Sequence, residues 1–301
     1  MVFLAGVGRS GTTLVERTLA EADGVTALGE VIHLWERGVL RDERCACGEP
    51  FSGCPFWTKV GDLAFGGWER GRALRMVKLR ARVGPTSRVP LLRAGVPEDL
   101  VRDAIEYADA FTRVYAAAAD VSGDVLLDSS KRVSLAWILH RADTVDLSLL
   151  HTVRDPRGVA TSWLRQTVRP EAVDDSDRLM PTHRPARLAM LWDVHNLIIE
   201  SLGRRVPSAR LRYEDFVADP VGRTGALLSG AGIADDPRRW VSPTSIRLGT
   251  SHSVAGNPMR FRLGDLAVRP DERWREELPP AARRTVTLLT SPLLRRYGYH
   301  R

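Results

Sequence analysis

Val2-Phe3-Leu4-Ala5-Gly6-Val7-Gly8-Arg9-Ser10-Gly11-Thr12-Thr13 opens the chain as an apolar run that breaks at glycines and leads into Leu14, Val15, Thr18 and Leu19. That second spacing belongs to a helix with one buried face, expected over Thr12 to Ala22. The whole reads as strand, glycine loop, helix. In such a unit the backbone N–H groups of the loop and of the helix N-terminus converge on an anion, so the glycine spacing points to a phosphate loop. Thr12 stands where the nucleotide triphosphatase pattern needs Lys, which argues against β- and γ-phosphates held with magnesium.

Working outward, Asp124-Val125-Leu126-Leu127-Asp128 and Leu147-Ser148-Leu149-Leu150-His151-Thr152-Val153 are short apolar runs of the kind that form buried parallel strands, and Ala209 to Tyr213 reads as another. Strands alternating with helices imply an α/β fold: a P-loop-type parallel sheet flanked by helices on both faces. A helix is expected from about Glu30 to Leu40, and two more around Glu69–Val83 and Glu98–Ala119, separated by Pro85, Pro90 and Pro97. Residues 41–123 read as a helical substrate-side insertion within a single domain spanning residues 1–301. Arg169 to Pro185 is polar and proline-bounded and Gly249 to Arg269 has little periodicity, so both are expected to be mobile loops near a site.

The chain carries 44 Lys and Arg against 37 Asp and Glu, and Lys59, Lys78 and Lys131 are its lysines, which leaves 41 arginines. A basic balance suits a polyanionic small molecule, nucleic acid or anionic lipid and does not choose among them. No apolar run approaches the roughly 20 residues of a membrane span. Met1 leads straight into the first strand with no room for a signal peptide, so a cytoplasmic location and no membrane partner are expected. Cys45, Cys47 and Cys54 share one short segment whose spacing is not a standard zinc pattern and which supplies three ligands. A local disulfide, or three thiols in a Gly/Pro-rich loop, is expected there, and no metal.

Arg9-Ser10-Gly11-Thr12-Thr13 resembles the 5′-phosphosulfate loop of the sulfotransferase superfamily, and His151 to Trp163 resembles its 3′-phosphate segment, with Arg154 at a strand end and Ser162 on the following helix. The resemblance covers most of the chain, is weakest from Arg41 to Gly123, and draws its specificity from motif order. It implies a PAPS-dependent sulfotransferase of the bacterial carbohydrate or natural-product type, with tyrosylprotein-sulfotransferase-like motifs. Such an enzyme moves a sulfuryl group in line from 3′-phosphoadenosine 5′-phosphosulfate (PAPS) to a hydroxyl of a small-molecule acceptor, leaving adenosine 3′,5′-bisphosphate (PAP), with no metal required. Sulfuryl transfer develops less negative charge than phosphoryl transfer, so Arg and Lys side chains could neutralise it.

On that reading Gly8, Arg9, Ser10, Gly11, Thr12 and Thr13 hold the 5′-phosphosulfate, and Arg154 and Ser162 hold the 3′-phosphate. Lys131 follows the strand ending at Asp128, where side chains emerge at the carboxyl edge of the sheet. The resemblance implies that Lys131 contacts the transferring group and the leaving oxygen. Glu30 is the candidate base by its similar separation from the loop. His33, one helical turn on, is the rival base, with an ordinary pKa nearer neutrality. Ser251 to Arg262 resembles the closing C-terminal loop, where Arg260 and Arg262 could clamp phosphate, and Tyr213 is placed near the adenine. The acceptor pocket is expected around Trp35, Trp57, Tyr107 and Tyr115, and a homodimer remains compatible with the sequence. Two other functions compete: a kinase in which Asp128 holds magnesium, and a non-catalytic module for polyanions such as nucleic acid.

Overall fold

The computed structural model describes residues 1–86, 97–165 and 184–299. In chain order its elements begin with β1 (Val2–Ala5), α1 (Thr12–Leu19) and β2 (Val25–Gly29), then α2 (Pro55–Phe65), α3 (Arg70–Val83) and α4 (Glu98–Ser122). The core resumes with β3 (Val125–Lys131), α5 (Val133–Ala142), β4 (Ser148–Val153), α6 (Pro156–Leu164), α7 (Pro185–Gly203), β5 (Ser208–Arg212), α8 (Tyr213–Ala218) and α9 (Pro220–Gly230). A small antiparallel sheet of β6 (Trp240–Ser242), β7 (Ser245–Leu248) and β8 (Gly264–Ala267) precedes α10 (Trp274–Glu277), α11 (Pro280–Leu289) and α12 (Ser291–Arg296). Among the described residues no helix is long and apolar enough to cross a membrane. Pro90, and residues 169–183 of the loop expected at Arg169 to Pro185, lie outside the described residues.

The main sheet is parallel with the order β2-β3-β1-β4-β5, which puts β1 at the centre and reverses the direction of strand addition beside it. Ligands in open parallel sheets bind outside the carboxyl ends of the strands at such a reversal, and the loop after β1 sits there. Both faces are covered. Phe3, Leu126 and Leu149 enter a core with residues of α4, α5 and α7, while their neighbours Leu4, Leu127 and Leu150 enter a second core with residues of α1, α8 and α9. The period of two along each strand thus carries adjacent apolar residues to opposite sides, which is why the strands read as continuous apolar runs.

β2 has no counterpart among the strands expected from the sequence. Its five residues include Ala27 and Gly29, which have low strand propensity, and only burial beside β3 makes them a strand. Glu30 therefore follows an edge strand rather than opening an α-helix. The helix expected from Glu30 is a 3₁₀ turn at Val31–His33 followed by a π-helical segment at Leu34–Leu40, a type of irregularity frequent at functional sites. The C-terminal loop is also more ordered than its sequence suggests, since Gly249 to Arg269 contains β8 and a 3₁₀ turn at Pro258–Phe261.

The helical segment packs on one face of the sheet through aromatic contacts, with the Trp35 ring 5.6 Å from Phe65 and from Trp68 and 6.4 Å from Phe111. Trp35, Trp57, Tyr107 and Tyr115 are buried, at most 3% exposed, and form core rather than acceptor pocket, contrary to the expectation. Their periodicity along α4, with Tyr107, Phe111, Val114 and Ala118 on one face, serves packing.

One buried carboxylate ties the elements at the carboxyl edge together. Glu16 of α1 accepts from the Gly29 amide of β2 at 2.8 Å and from the Ser129 hydroxyl of β3 at 2.8 Å. Burial raises its pKa to about 7, although both hydrogen bonds and the nearby Lys131 charge favour ionisation and Asp128 opposes it. Asp128, also buried, is raised to about 6 by desolvation despite accepting from the Tyr115 hydroxyl and the Ser130 amide. A carboxyl whose folded pKa exceeds its unfolded value binds protons more tightly in the native state, so its ionisation destabilises the fold as pH rises. Stability should therefore fall between about pH 4.5 and pH 7, by on the order of 3 kcal/mol from Glu16. Urea unfolding across that range should show the slope, and Glu16→Gln should flatten it; an unaltered slope in the variant would remove Glu16 as its source.

Candidate functional site

A cavity of about 520 Å³ opens at the carboxyl edge of the main sheet, lined by residues of the β1–α1 loop, the ends of β2 and β3, the β4–α6 region and the C-terminal segments. This is within the usual range for a small-molecule site. Gly8, Arg9, Gly11, Thr12 and Thr13 form one wall. Arg9 adopts φ 73° and Gly11 φ 84°, a left-handed sequence that curls the loop under the start of α1. For Arg9 this conformation is sterically costly and is sustained by its surroundings. The first amides of α1 have no intrahelical acceptor, and the Thr12 hydroxyl is buried with no hydrogen-bond partner. An anion seated on the loop would satisfy both. Ser10 is buried and donates its amide to the Val7 carbonyl at 3.1 Å; it supports the loop without lining the cavity.

Two aromatic rings brace this wall. Trp163 donates to the Gly8 carbonyl at 3.0 Å and lies 5.5 Å from the Arg9 guanidinium, while Tyr213 packs over Gly11, with Arg154 stacked 4.5 Å from its ring. Arg154 also donates to the Arg9 carbonyl at 3.0 Å and pairs with Asp271 at 2.8 Å. Its position is fixed from behind, because α6 begins at Asp155-Pro156 with the Asp155 carboxylate capping the Arg157 amide, and Trp192 donates to the Arg154 carbonyl. Ser162, two turns along α6, lines the same cavity. Burial lowers the Arg9 pKa; Glu30 opposes that and Arg154 adds to it. The resulting density of positive charge in a half-closed cavity favours an anionic ligand.

Opposite the loop, Glu30 and Lys131 form an ion pair, each side chain less than one-fifth exposed. Two irregularities in the sheet bring them together. Ala27 and Gly29 of β2 face the consecutive residues Leu127 and Asp128, so an extra residue bulges just before Glu30. Phe3 and Ala5 of β1 face Asp128 and Lys131, so β3 bulges just before Lys131, which itself takes φ 62°. Bulges next to active sites commonly re-aim a side chain in this way. The Ser130 hydroxyl accepts from the Ile32 amide at 2.9 Å and holds the two segments in step.

His33 lies 3.7 Å from the Glu30 carboxylate but does not line the cavity. Its Nδ1 accepts from Arg80 at 3.4 Å, and burial, then the charges of Arg37, Arg80, Arg132 and Lys131, lower its pKa well below the ordinary value. A neutral, weakly basic imidazole results, poorly suited to hold a proton taken from a hydroxyl. Arg260 is likewise away from the cavity: its buried guanidinium donates to the Ser253 and Arg44 carbonyls at 2.6 and 2.8 Å. Arg262 is exposed and also outside the cavity wall.

The structure adds Leu14, Arg37, Trp163, Asn257, Met259, Asp271 and Arg273 to the lining. Arg273 pairs with Asp271 at 2.6 and 2.7 Å, which makes it the cavity's C-terminal arginine in place of Arg260 and Arg262. Nothing local in Pro270-Asp271-Glu272-Arg273 distinguishes it from a solvated turn, and only the return of the chain to the sheet edge places it there. The three cysteines carry no disulfide, and His252 lies among them.

Among solved structures, the sulfotransferase domain from the Synechococcus PCC 7002 olefin synthase matches with a TM-score of 0.55 and 21% identity, covering 100% of this chain and 95% of that one. The sulfotransferase domain from the curacin biosynthetic pathway matches with a TM-score of 0.56 and 15% identity, covering 100% and 98%. No family model and no curated protein matches the chain. The chain thus has the fold of sulfotransferase domains along its whole length, an α/β fold built on a parallel sheet with helices on both sides.

Gly11 tests the loop geometry directly. A Cβ there would lie 2.4 Å from the Tyr213 ring at a φ of 84°. Gly11→Ala should cost about 1–2 kcal/mol from backbone strain alone, and should weaken binding of anions at the loop about tenfold or more, a loss of about 1.4 kcal/mol. Denaturant unfolding and calorimetric titration would measure the two, and a variant as stable and as tight as the parent would refute this packing.

Proposed function

We propose that the protein is a sulfotransferase that transfers a sulfuryl group from PAPS to a hydroxyl of a small-molecule acceptor. The observation that carries the reading is the arrangement of one cavity on a sulfotransferase fold. An anion-ready loop with the unpartnered Thr12 hydroxyl faces the Glu30–Lys131 pair, with Arg9 and Arg154 at the loop. Gly8, Arg9, Gly11, Thr12 and Thr13 would hold the 5′-phosphosulfate. Arg154, Ser162 and Arg273 would hold the 3′-phosphate, with Arg154 exchanging Asp271 for a doubly charged partner. Tyr213 and Trp163 offer faces for the adenosine.

In the transfer, the acceptor oxygen forms a bond to sulfur as the bond from sulfur to the 5′-phosphate oxygen breaks in line. Glu30 takes the hydroxyl proton, Arg9 neutralises the sulfuryl oxygens, and Lys131 stabilises the departing phosphate oxygen. The Glu30–Lys131 pair means that donor entry would draw the ammonium toward the leaving oxygen and free the carboxylate to accept a proton. The acceptor class, whether carbohydrate, phenol or another secondary metabolite, would be set by cavity-lining residues such as Arg37, Asn257 and Met259 rather than by the buried aromatic residues of the helical layer.

The kinase alternative loses its metal ligand, because Asp128 is fully buried, hydrogen-bonded to Tyr115 and Ser130, and absent from the cavity wall. Calorimetric titration with adenosine 3′,5′-bisphosphate and with ATP, both without magnesium, tests the donor site. Micromolar binding of the bisphosphate with little for ATP is expected, and binding of neither would refute the proposal. Glu30→Gln and Lys131→Ala should each slow sulfuryl transfer by about 10²–10⁴-fold, the usual range for lost acid–base groups, while keeping bisphosphate affinity within a few-fold. His33→Ala should change turnover little, and a large loss there would reassign the base.

A further inference from the structure

Away from the cavity, four metal-binding side chains meet. The Cys54 sulfur lies 3.6 Å from that of Cys45, 3.7 Å from that of Cys47 and 3.3 Å from Nδ1 of His252, and all four donor atoms fall within 4.8 Å of one another. Three ligands come from one ten-residue loop and the fourth from 198 residues further along the chain. Thiolates at about 2.3 Å and an imidazole nitrogen at about 2.0–2.1 Å from one tetrahedral zinc ion stand roughly 3.6–3.8 Å from each other. The observed spacings match that geometry more closely than a disulfide, whose sulfurs stand about 2.05 Å apart.

The surroundings are built to aim these groups. Cys45 and Cys47 sit on a tight turn in which Gly48 donates to the Cys45 carbonyl at 2.9 Å and Cys45 donates to Glu49 at 2.8 Å, with Gly48 at φ 99°. Cys54 immediately precedes α2. The His252 ring stacks on Phe56 at 5.2 Å and 10°, and its carbonyl accepts from Trp57 at 2.7 Å, so ring and backbone are both fixed. Arg260 joins the two ligand-bearing segments by donating to the carbonyls of Arg44 and Ser253, the neighbours of Cys45 and His252. Its buried charge also suits a site of three thiolates and a divalent ion, whose net charge is −1. Such outer partners orient and tune metal ligands.

We propose that Cys45, Cys47, Cys54 and His252 bind one Zn²⁺ ion in a closed, structural site. None of the four lines the cavity, and with four protein ligands no position is left for a substrate. The ion would join the 45–54 loop to the segment that follows His252. That segment donates from Val254 to Leu28 at 2.9 Å, accepts at Ala255 from Glu30 at 3.1 Å, and places Asn257 and Met259 in the cavity wall. Zinc binding would release the thiol protons and hold the Glu30 side of the cavity in place.

Metal analysis of the full chain, purified from zinc-containing medium without chelators, should give about one zinc per chain. The zinc-free protein titrated with Co²⁺ under reducing conditions should show tetrahedral ligand-field bands and sulfur-to-cobalt charge transfer. Cys47→Ser should lose most of the zinc, whereas His252→Cys should keep it with shifted cobalt bands. Should Cys47→Ser fail to fold, the cobalt spectrum of the parent still decides. A folded parent holding less than about 0.1 zinc per chain and taking up no Co²⁺ would overturn the proposal, as would stoichiometric iron in place of zinc. These readouts do not depend on sulfuryl transfer, so the site and the activity stand or fall separately.

Discussion

Glu16 is the constraint on which the carboxyl edge of the sheet depends. Its carboxylate reaches from α1 to the Gly29 amide and the Ser129 hydroxyl, so one side chain fixes the helix behind the β1–α1 loop, the strand before Glu30 and the strand before Lys131. A carboxylate this deeply buried is tolerable only because two donors meet it and Lys131 lies near, and even so its pKa is raised to about 7. An apolar side chain of similar volume would cost less, but it would leave the Gly29 amide and the Ser129 hydroxyl without their partner. The geometry of the edge is bought with stability.

The charges of the cavity are arranged as ion pairs. Arg154 and Arg273 meet Asp271, and Lys131 meets Glu30, so the cations are held in position without a ligand. Partner carboxylates lower the cost of burying the cations, and a phosphate or sulfate that brings more charge can displace them. The Arg9 and Arg154 guanidinium groups also lie over aromatic rings, 5.5 Å from that of Trp163 and 4.5 Å from that of Tyr213, which helps to hold them in place. Arg260, by contrast, donates from Nη1 and Nη2 to backbone carbonyls and acts as a joint between two chain segments.

That joint marks where the helical layer and the C-terminal part of the chain cooperate. Trp57 bonds to the His252 carbonyl, Ala46 donates to Ser253, and Val254 continues the edge of β2. Together these contacts pass a restraint from the cysteine loop through three consecutive residues to the backbone beside Glu30. The aromatic residues of the layer fill the space behind this wall. Their burial explains why bulky side chains in the helical layer did not mark a binding pocket.

The local sequence by itself determined the strand–loop–helix unit at the start of the chain, the central strands and the glycine turn of the loop. Each follows from short-range rules: apolar runs for buried strands, glycines for a left-handed turn, and 3.6-residue spacing for α1. Glu30, Lys131, Arg154, Ser162 and Tyr213 were legible as candidates, but their meeting was not, because it depends on two bulges, at the ends of β2 and β3, that no residue pattern announces. Strand β2 itself escaped notice for want of strand-forming residues, its pairing being supplied by β3. Only the tertiary structure decided that Arg273 rather than Arg260 or Arg262 faces the cavity, that His33 is surrounded by cations, and that His252 joins three cysteines. Each of these is a contact between residues far apart in sequence, fixed by the return of the chain to one edge of the sheet, where local propensity carries no information.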